Sequence, residues 1–260
     1  MYTLGIDIGS ASSKAVILKD GTDVVASAVV QVGTGTSGPG RVLEEVFSNV
    51  DLTQEDMDYT VATGYGRFSV ENADKQLSEI TCHAKGIFHL VPSARTIIDI
   101  GGQDAKAIQL DAKGNIQKFV MNDKCAAGTG RFFEAMANAF EMSLPDFCKL
   151  SLRAKNTIPI TAQCTVFAES EVISLVGEGK PMDEIAAGIQ LAVAKRCFVM
   201  AKKSGATDSI TLTGGCAKNE GLKKAIEKVL KIKVVDLSID PQLMGALGAA
   251  EYARQKGLAQ

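Results

Sequence analysis

The chain has 260 residues, 46% of them hydrophobic and 22% charged, so it is long and apolar enough to form ordinary globular cores. Its formal net charge of -2 lacks the basic excess that binding to nucleic acid or to an anionic membrane requires. Because residues 2–8 form a strand-like segment with no basic leader before it, we expect a cytoplasmic protein with no nucleic acid and no membrane partner.

Hydrophobic periodicity predicts strands and helices in a mixed order. Two strand pairs, each joined by a glycine turn, begin near residues 2 and 96. The remaining predicted elements are a strand at 24–30, a helix at 39–49, a strand at 59–63, helices at 77–90, 131–141, 167–176 and 182–203, a strand at 209–213, a helix at 218–230 and a last helix beyond Pro241. This order indicates an α/β protein.

A short motif occurs twice in the chain. The segments D-I-G-S-A-S-S-K-A-V-I-L, from Asp7, and D-I-G-G-Q-D-A-K-A-I-Q-L, from Asp99, agree without a gap at Asp, Ile, Gly, Lys, Ala and Leu. Each copy ends an apolar strand, turns at a glycine and continues into a strand that ends at Leu18 or Leu110. The duplication predicts two similar domains, residues 1–94 and 95–240, with a cleft between them.

The turn after Asp7 gathers groups that bind Mg²⁺ and a polyphosphate. Asp7 can hold the water shell of a metal ion, Gly9 lets the backbone approach an anion closely, and Lys14 supplies a positive donor. The hydroxyl donors of this turn are Ser10, Ser12 and Ser13. Turns of this kind also use Asp and Gly for conformational reasons, so one copy alone is weak support for a ligand site.

The second copy offers a comparable turn, and a third glycine turn follows later. The second turn contains Asp99, Gly101, Gly102 and Gln103. In the segment T-L-T-G-G-C-A-K-N, a strand ends in Gly214 and Gly215 and a helix follows, so the backbone there can lie flat against a base or ribose. Two matching phosphate turns favour nucleotide binding over a purely conformational role.

Six cysteines are scattered along the chain, and none forms a C-x-x-C pair. Cys125 and Cys164 lie in polar or glycine-rich loops just before predicted helices, whose N-termini stabilise anions. Two loop cysteines cannot complete a four-thiolate site, but two chains related by a two-fold axis can. Structural cysteines and a zinc site shared between subunits remain alternatives. The other four cysteines, which we interpret as packing residues, are Cys82, Cys148, Cys197 and Cys216.

The order of the Asp7 turn, the Asp99 turn, the double-glycine turn and the helix motif G-A-L-G-A-A at Gly245 resembles the actin-like ATPases, which include sugar kinases and heat-shock ATPases. The resemblance implies duplicated ribonuclease-H-like domains around a nucleotide cleft that binds ATP or ADP with Mg²⁺, and a helix at 241–260 that returns to the first domain. The implied catalytic residues are Asp7 and Asp99, with Gln103 and Asp104 as alternatives for orienting the attacking water. The implied nucleotide-binding residues are Gly9, Ser10, Ser12, Ser13, Lys14, Gly101, Gly102, Gln103, Gly214, Gly215, Asn219 and Gln242.

Further segments resemble one branch of this superfamily. N-D-K-C-A-A-G-T-G-R-F around Cys125, C-T-V-F-A-E-S-E-V from Cys164, V-G-T-G-T-S-G-P and A-T-G-Y-G-R are similar to the activators of 2-hydroxyacyl-CoA dehydratases, within the BadF/BadG/BcrA/BcrD ATPases. The resemblance implies a homodimer with one 4Fe-4S cluster held by Cys125 and Cys164 of both subunits. It also implies ATP-driven, one-electron activation of a dehydratase component in anaerobic amino acid fermentation, with a ferredoxin or flavodoxin as electron donor.

Three other functions fit parts of this pattern. The chain can be the ATPase subunit of a benzoyl-CoA-type reductase, a small-molecule kinase that shares only the ATP residues, or a nucleotide switch without catalysis. Iron separates the kinase and the switch from the activator and the reductase subunit, because neither a kinase nor a simple switch binds an iron-sulfur cluster.

Overall fold

The computed structural model describes residues 1–161, 164–207 and 209–258. Its strands and α-helices, in chain order, are β1 Tyr2–Ile8, β2 Ser13–Lys19, β3 Asp23–Val30, α1 Gly38–Ser48, β4 Tyr59–Thr63, β5 Lys75–Gln76, α2 Glu79–Leu90, β6 Thr96–Ile100, β7 Ala105–Leu110, β8 Ile116–Asn122, α3 Gly130–Ala139, α4 Leu144–Leu150, α5 Thr165–Gly177, α6 Met182–Ser204, β9 Ile210–Thr213, α7 Glu220–Leu230, β10 Val234–Val235 and α8 Met244–Gly257. The predicted α/β class is confirmed.

The chain forms two compact units. The first contains Met1–Arg95, Leu110–Gln117 and the chain from Leu237 onward, and the second contains Thr96–Gln109 and Lys118–Asp236. Across the part of the chain that the structure describes, we find no helix that combines the length and the apolar character needed to span a bilayer.

The first unit is a five-stranded sheet covered by helices. Its strand order is β3-β2-β1-β4-β5, with β1 antiparallel to β2 and parallel to β4. Leu4, Ile6 and Ile8 of β1 share one buried cluster with Val42 and Val46 of α1. Because side chains alternate along a strand, the residues between them face the opposite side. Helices α2 and α8 cover that opposite side, so both faces of the sheet are buried.

The second unit repeats this topology. Its strand order is β10-β9-β6-β7-β8, with β6 antiparallel to β7 and parallel to β9. Each central strand, β1 or β6, therefore has one antiparallel neighbour on one side and one parallel neighbour on the other. Phe132, Phe133 and Met136 of α3 lie in the core of this unit with Ile98 and Ile100 of β6. The duplication seen in the short motif thus extends to the whole order of both sheets.

Several elements differ from the sequence-based prediction. Strands β5 and β10 have two residues each, which is too short for an alternating pattern to be recognised. Strand β8 is largely exposed at the edge of its sheet and shows no clear apolar alternation. The helix predicted at 218–230 begins at Glu220, because Asn219 caps it and residues 215–218 form a separate 3₁₀ turn.

Close backbone packing between α2, α8 and β1 depends on glycines. A Cβ atom on Gly248 would collide with the carbonyl oxygen of Cys82 in α2, and one on Gly86 would collide with that of Met244. A Cβ atom on Gly5 would likewise collide with the backbone of α8. The glycines of β1, α2 and α8 therefore allow the two helices to lie directly against each other and against the strand that carries Asp7.

We expect Gly248→Ala to destabilise the protein by about 3 kcal/mol, because overpacking a rigid backbone contact costs about 1–3 kcal/mol and here the obstacle is a carbonyl group. Urea denaturation followed by circular dichroism measures the effect. The matched control is Gly40→Ala in α1, where a Cβ atom meets nothing within 4 Å. Gly40→Ala should be neutral or slightly stabilising. Equal stability of the two variants would contradict this account of the packing.

Candidate functional site

The turn between β1 and β2 holds an acid and a base in contact. Asp7 and Lys14 are direct partners in the antiparallel register, and Lys14 Nζ lies 3.3 Å from Asp7 Oδ2. The Gly9 N–H donates to the Ser12 carbonyl oxygen at 3.0 Å and closes the turn. Both charged side chains are largely removed from solvent, so their interaction is stronger than that of a surface pair.

Glycines on two other segments stand against the Asp7 carboxylate. A Cβ atom on Gly64, at φ +86°, would collide with Asp7 Oδ1, and one on Gly245 would lie 2.7 Å from Asp7 Oδ2. The same Gly245 position lies 3.2 Å from Nε2 of the buried His83. Because Gly64 and Gly245 have no side chains, the backbone at both positions can lie close to the Asp7 carboxylate. Such a cradle suits a small, highly charged ligand such as hydrated Mg²⁺ or a phosphate.

The three serines of this turn differ in environment. Ser13 is fully buried, and its hydroxyl donates to the Val32 carbonyl oxygen at 2.7 Å. Ser12 is also buried, whereas Gly9 and Ser10 are partly exposed. Ser13 therefore holds the loop that follows β3. The accessible donors of the turn are those of Gly9 and Ser10.

The equivalent turn in the second unit contains a buried lysine between two acids. Lys106 Nζ lies 3.4 Å from Asp99 Oδ2 and 2.5 Å from Asp104 Oδ2, and the Lys106 side chain is only 3% exposed. The hydroxyl of Thr213 donates to Asp99 Oδ1 at 2.9 Å. The Gly101 N–H donates to the Asp104 carbonyl oxygen at 2.9 Å and closes the turn as Gly9 does in the first unit.

Gln103 and Asp104, the two candidates for orienting the attacking water molecule, have different surroundings. Asp104 is buried and ion-paired with Lys106, whereas Gln103 has an exposed side chain in the same turn. A residue that orients an attacking water must reach it within hydrogen-bond distance. The arrangement therefore favours Gln103 for that role and gives Asp104 the role of holding Lys106.

The remaining predicted nucleotide residues lie at strand or helix ends. A Cβ atom on Gly214, at φ +80°, would lie 2.8 Å from Asp99 Oδ1, and Gly215 next to it is exposed. Asn219 is buried: its Oδ1 accepts from the Leu222 N–H, and its Nδ2 donates to Gln190. These bonds give Asn219 a structural role at the start of α7. The buried Gln242 lies in the 3₁₀ turn Pro241–Leu243 of the first unit.

Sequence reasoning missed several residues of these turns. Lys106 is not among the site residues predicted from the sequence. Its match to Lys14 in the repeated motif is the signal that identifies it. A second signal lies in the Thr-Gly pairs that follow β4 and β9. Thr63 pairs with Asp7 and Thr213 pairs with Asp99 in the parallel registers, and each is followed by a glycine that approaches the carboxylate.

The six cysteines fall into two classes. Burial raises the pKa of Cys82 and Cys197 to about 12, and that of Cys148 to about 11. Burial also raises the pKa of Cys216. These four are therefore protonated thiols at neutral pH, whereas Cys125 and Cys164 are exposed. Metal ions bind the thiolate form, so the two exposed cysteines are the better ligand candidates.

Cys125 and Cys164 both precede helices of the second unit. Cys164 is the N-cap residue of α5, and Cys125 lies in the loop between β8 and α3. The Asn122 side chain donates to the Cys125 carbonyl oxygen at 2.9 Å and holds this loop. Within residues 1–161, 164–207 and 209–258, no three His, Cys, Asp or Glu side chains come together as a metal site.

Main-chain hydrogen bonds join the second phosphate turn to the helix that follows Cys125. The Gly130 N–H donates to the Gly101 carbonyl oxygen at 2.8 Å, and the Arg131 N–H donates to the Gly102 carbonyl oxygen at 2.9 Å. Gly130 and Arg131 are the first two residues of α3. These two bonds fix the Gly101-Gly102 turn against the start of α3, which directly follows the loop of Cys125.

Comparisons with known proteins agree with this geometry. The sequence profile of the BadF/BadG/BcrA/BcrD ATPase family matches residues 4–253. An activator of lactoyl-CoA dehydratase from Anaerotignum propionicum is 59% identical over 253 residues, which cover 97% of each chain.

Solved structures show the same fold. The activator of the 2-hydroxyisocaproyl-CoA dehydratase from Clostridium difficile, with bound ADPNP, superimposes with a TM-score of 0.96 at 47% identity, covering 100% of this chain and 96% of that one. A ROK-family glucokinase from Streptomyces griseus gives a TM-score of 0.57 at 13% identity, covering 98% and 100%, which shows the fold alone. The duplicated actin-like and sugar-kinase-like fold that the resemblance implies is thus confirmed. With its repeated acid-base turns and a family match over nearly its whole length, the chain belongs to the BadF/BadG/BcrA/BcrD ATPase family.

Proposed function

We propose that the chain is the ATP-dependent activator of a 2-hydroxyacyl-CoA dehydratase. It hydrolyses ATP and passes one low-potential electron to the dehydratase component, from a 4Fe-4S cluster shared by a homodimer. The names of its relatives support the partner class. The observation that carries the proposal is the pair of main-chain hydrogen bonds that joins the Gly101-Gly102 turn to α3, because they connect a nucleotide turn to the loop of Cys125.

Both acid-base turns contribute to the binding of ATP with Mg²⁺. In its own unit, Asp7 or Asp99 would hold the water shell of a metal ion, while backbone N–H groups of the adjoining glycine turn would bind phosphate oxygens. Lys14 and Lys106 hold the two carboxylates in place, because each lysine lies across its hairpin from the acid that it contacts. Gln103 orients the water that attacks the γ-phosphate, and hydrolysis releases ADP and phosphate.

The donor set fits a cluster shared between two chains. Cys125 and Cys164 supply two exposed thiols per chain, and two copies supply the four thiolates that a 4Fe-4S cluster takes. When bound, such a cluster supplies reversible one-electron transfer. Three large apolar residues of α5 beside Cys164 are exposed: Val166 by 66%, Phe167 by 69% and Ile173 by 54%. An exposed apolar surface of this kind suits burial against a second copy of the chain.

The link from nucleotide to cysteine runs through the second unit. Binding and hydrolysis of ATP change the contacts of the Gly101-Gly102 turn, and the hydrogen bonds to Gly130 and Arg131 carry the change into α3. A shift of α3 alters the hydration and hydrogen bonding around Cys125, which are terms that set a cluster potential. ATP hydrolysis is thereby coupled to delivery of the electron.

The proposal also names the electron donor and the cellular compartment. A ferredoxin or flavodoxin supplies one electron, and the dehydratase component receives one, so each cycle balances. Exposed cysteine ligands require a reducing compartment, so we place the protein in the cytoplasm of an anaerobic host.

Anaerobically purified protein should contain four iron and four sulfide ions per dimer and give an EPR signal on reduction. Cys125→Ala and Cys164→Ala should each lose most of the iron, because each removes two of the four thiolates of the dimer. The matched control is Cys148→Ala, which removes a half-buried thiol and should keep the full iron content. Full iron in either of the first two variants would rule out that ligand.

Asp99→Asn should lower ATP hydrolysis at least about 100-fold, because the neutral amide no longer supports the metal and the charge that develops on the phosphates. The fold should survive, since Lys106 keeps its ion pair with Asp104. A phosphate-release assay measures the rate. Asp23→Asn, at an exposed position in β3, is the control and should hydrolyse ATP like the parent. An unchanged rate in Asp99→Asn would remove this carboxylate from the site.

Gly130→Ala should separate ATP hydrolysis from dehydratase activation. The added Cβ atom would lie 3.2 Å from Gly102 Cα and 3.3 Å from the Gly101 carbonyl oxygen, so the helix start and the turn must move apart slightly. We expect hydrolysis and iron content near those of the parent, with roughly a tenfold loss of activation, since small misplacements at functional centres have large effects. Gly177→Ala in α5, where a Cβ atom meets nothing within 4 Å, is the control. Normal activation by Gly130→Ala would argue against this route.

A further inference from the structure

Arg196 of α6 lies beside the cysteine loop of the second unit. Its guanidinium carbon is 5.4 Å from the centroid of the Phe132 ring in α3, a distance typical of a cation–π contact. Its aliphatic stem lies against Gly128, where an added Cβ atom would come within 3.3 Å of Arg196 Cδ. Gly128 has φ +94° and follows Cys125 by three residues. The arginine is therefore held between the loop of Cys125 and the first turn of α3.

The guanidinium of Arg196 is partly removed from water, and its stem packs on the loop that carries Cys125. Burial lowers the pKa of Arg196, and the negative charge of the Cys125 thiolate opposes this effect by raising it. Arginine nevertheless stays protonated at neutral pH, because its ordinary pKa lies far above it. A positive charge is thus kept, partly out of water, next to a cysteine that is itself exposed.

Cys197, the next residue along α6, also interacts with Arg196. Burial raises the pKa of Cys197 to about 12, so it is a neutral thiol at neutral pH and brings no charge. Cys125 differs because it becomes a thiolate when it binds a metal. The charge of Arg196 opposes the rise in the pKa of Cys197, but burial outweighs it, so of the two cysteines only the exposed Cys125 is placed to carry a negative charge as a metal ligand.

We propose that Arg196 is a positioning residue that sets the reduction potential of the cluster: its guanidinium, held on Phe132 and Gly128, stabilises the negative charge carried by Cys125 and the bound cluster. This inference rests on the proposed function. It adds a residue that is not among the proposed ligands and that lies in the apolar segment L-A-V-A-K-R-C-F-V-M.

The direction of the effect follows from charge balance. Reduction adds one electron, and so one negative charge, to the cluster and its four thiolates. A positive charge fixed nearby stabilises the reduced state more than the oxidised state and raises the potential. Removal of the Arg196 charge should therefore make the cluster harder to reduce. We expect at least a tenfold change in the reduction equilibrium, which corresponds to about 59 mV for a one-electron couple.

The test is an anaerobic redox titration of the iron-loaded dimer, followed by EPR, on the parent, Arg196→Met and Arg196→Lys. Arg196→Met removes the charge and keeps an unbranched stem. Its midpoint potential should therefore fall by at least about 59 mV, which is a tenfold change in the reduction equilibrium constant. Arg196→Lys keeps the charge, so its shift should be less than half of that. Lys195→Met is the control, because it removes the same charge from an exposed position one residue away, where water screens it.

Each result decides the question. A midpoint of Arg196→Met equal to that of the parent or of Lys195→Met overturns the proposal, and so does an equal shift in the Met and Lys variants, which indicates packing rather than charge. If Arg196→Met holds no iron, Arg196→Lys decides: a cluster with a near-parent potential supports the charge, and loss of iron in both variants refutes it. A parent protein without iron would overturn the proposed function as well, so the two failures are distinguishable.

Discussion

Each half of the protein is organised around an acid and a lysine that face each other across an antiparallel hairpin. The spacing is the same in both halves, and the registers pair Asp7 with Lys14 and Asp99 with Lys106. Because the turn between the two strands is tight, it brings the charges together at the end of the central strand. The glycines that approach the carboxylates and the hydrogen bonds that close both turns are arranged around this pairing.

The two halves use this common arrangement differently. In the first unit, Lys14 contacts one acid, and glycines from β4 and α8 stand against that acid. In the second unit, Lys106 is shared between Asp99 and Asp104, and the turn is hydrogen-bonded to α3. The first unit therefore sets glycines closely around its acid, whereas the second unit also connects its turn to α3, which follows the loop of Cys125.

Much of the architecture could be predicted from the sequence because the relevant signals are local. The repeated strand-glycine motif predicted both hairpins, and periodicity predicted α6 to within a residue of its observed end. The polar residues around Cys125 likewise predicted a loop, and Cys125 is exposed in the structure.

Contacts between residues distant in sequence could not be predicted in this way. The hydrogen bond from Thr213 to Asp99 depends on the register of β9 against β6, and the bond from Asn219 to Gln190 joins two helices. The acceptor of the Ser13 hydroxyl, the Val32 carbonyl, belongs to a loop with no recognisable pattern. Sequence reasoning can therefore name polar residues near a site, but the structure is needed to separate those that face a ligand from those that hold the fold.

The connection between the Gly101-Gly102 turn and α3 is made by main-chain atoms alone, as both bonds run from N–H groups to carbonyl oxygens. Most side-chain substitutions on either element leave such bonds in place. The outer surfaces of the second unit can thus diverge during evolution, and adapt to different partner proteins, while the internal transmission stays the same. For the same reason, alanine scanning would pass over this connection at every position except the glycines themselves.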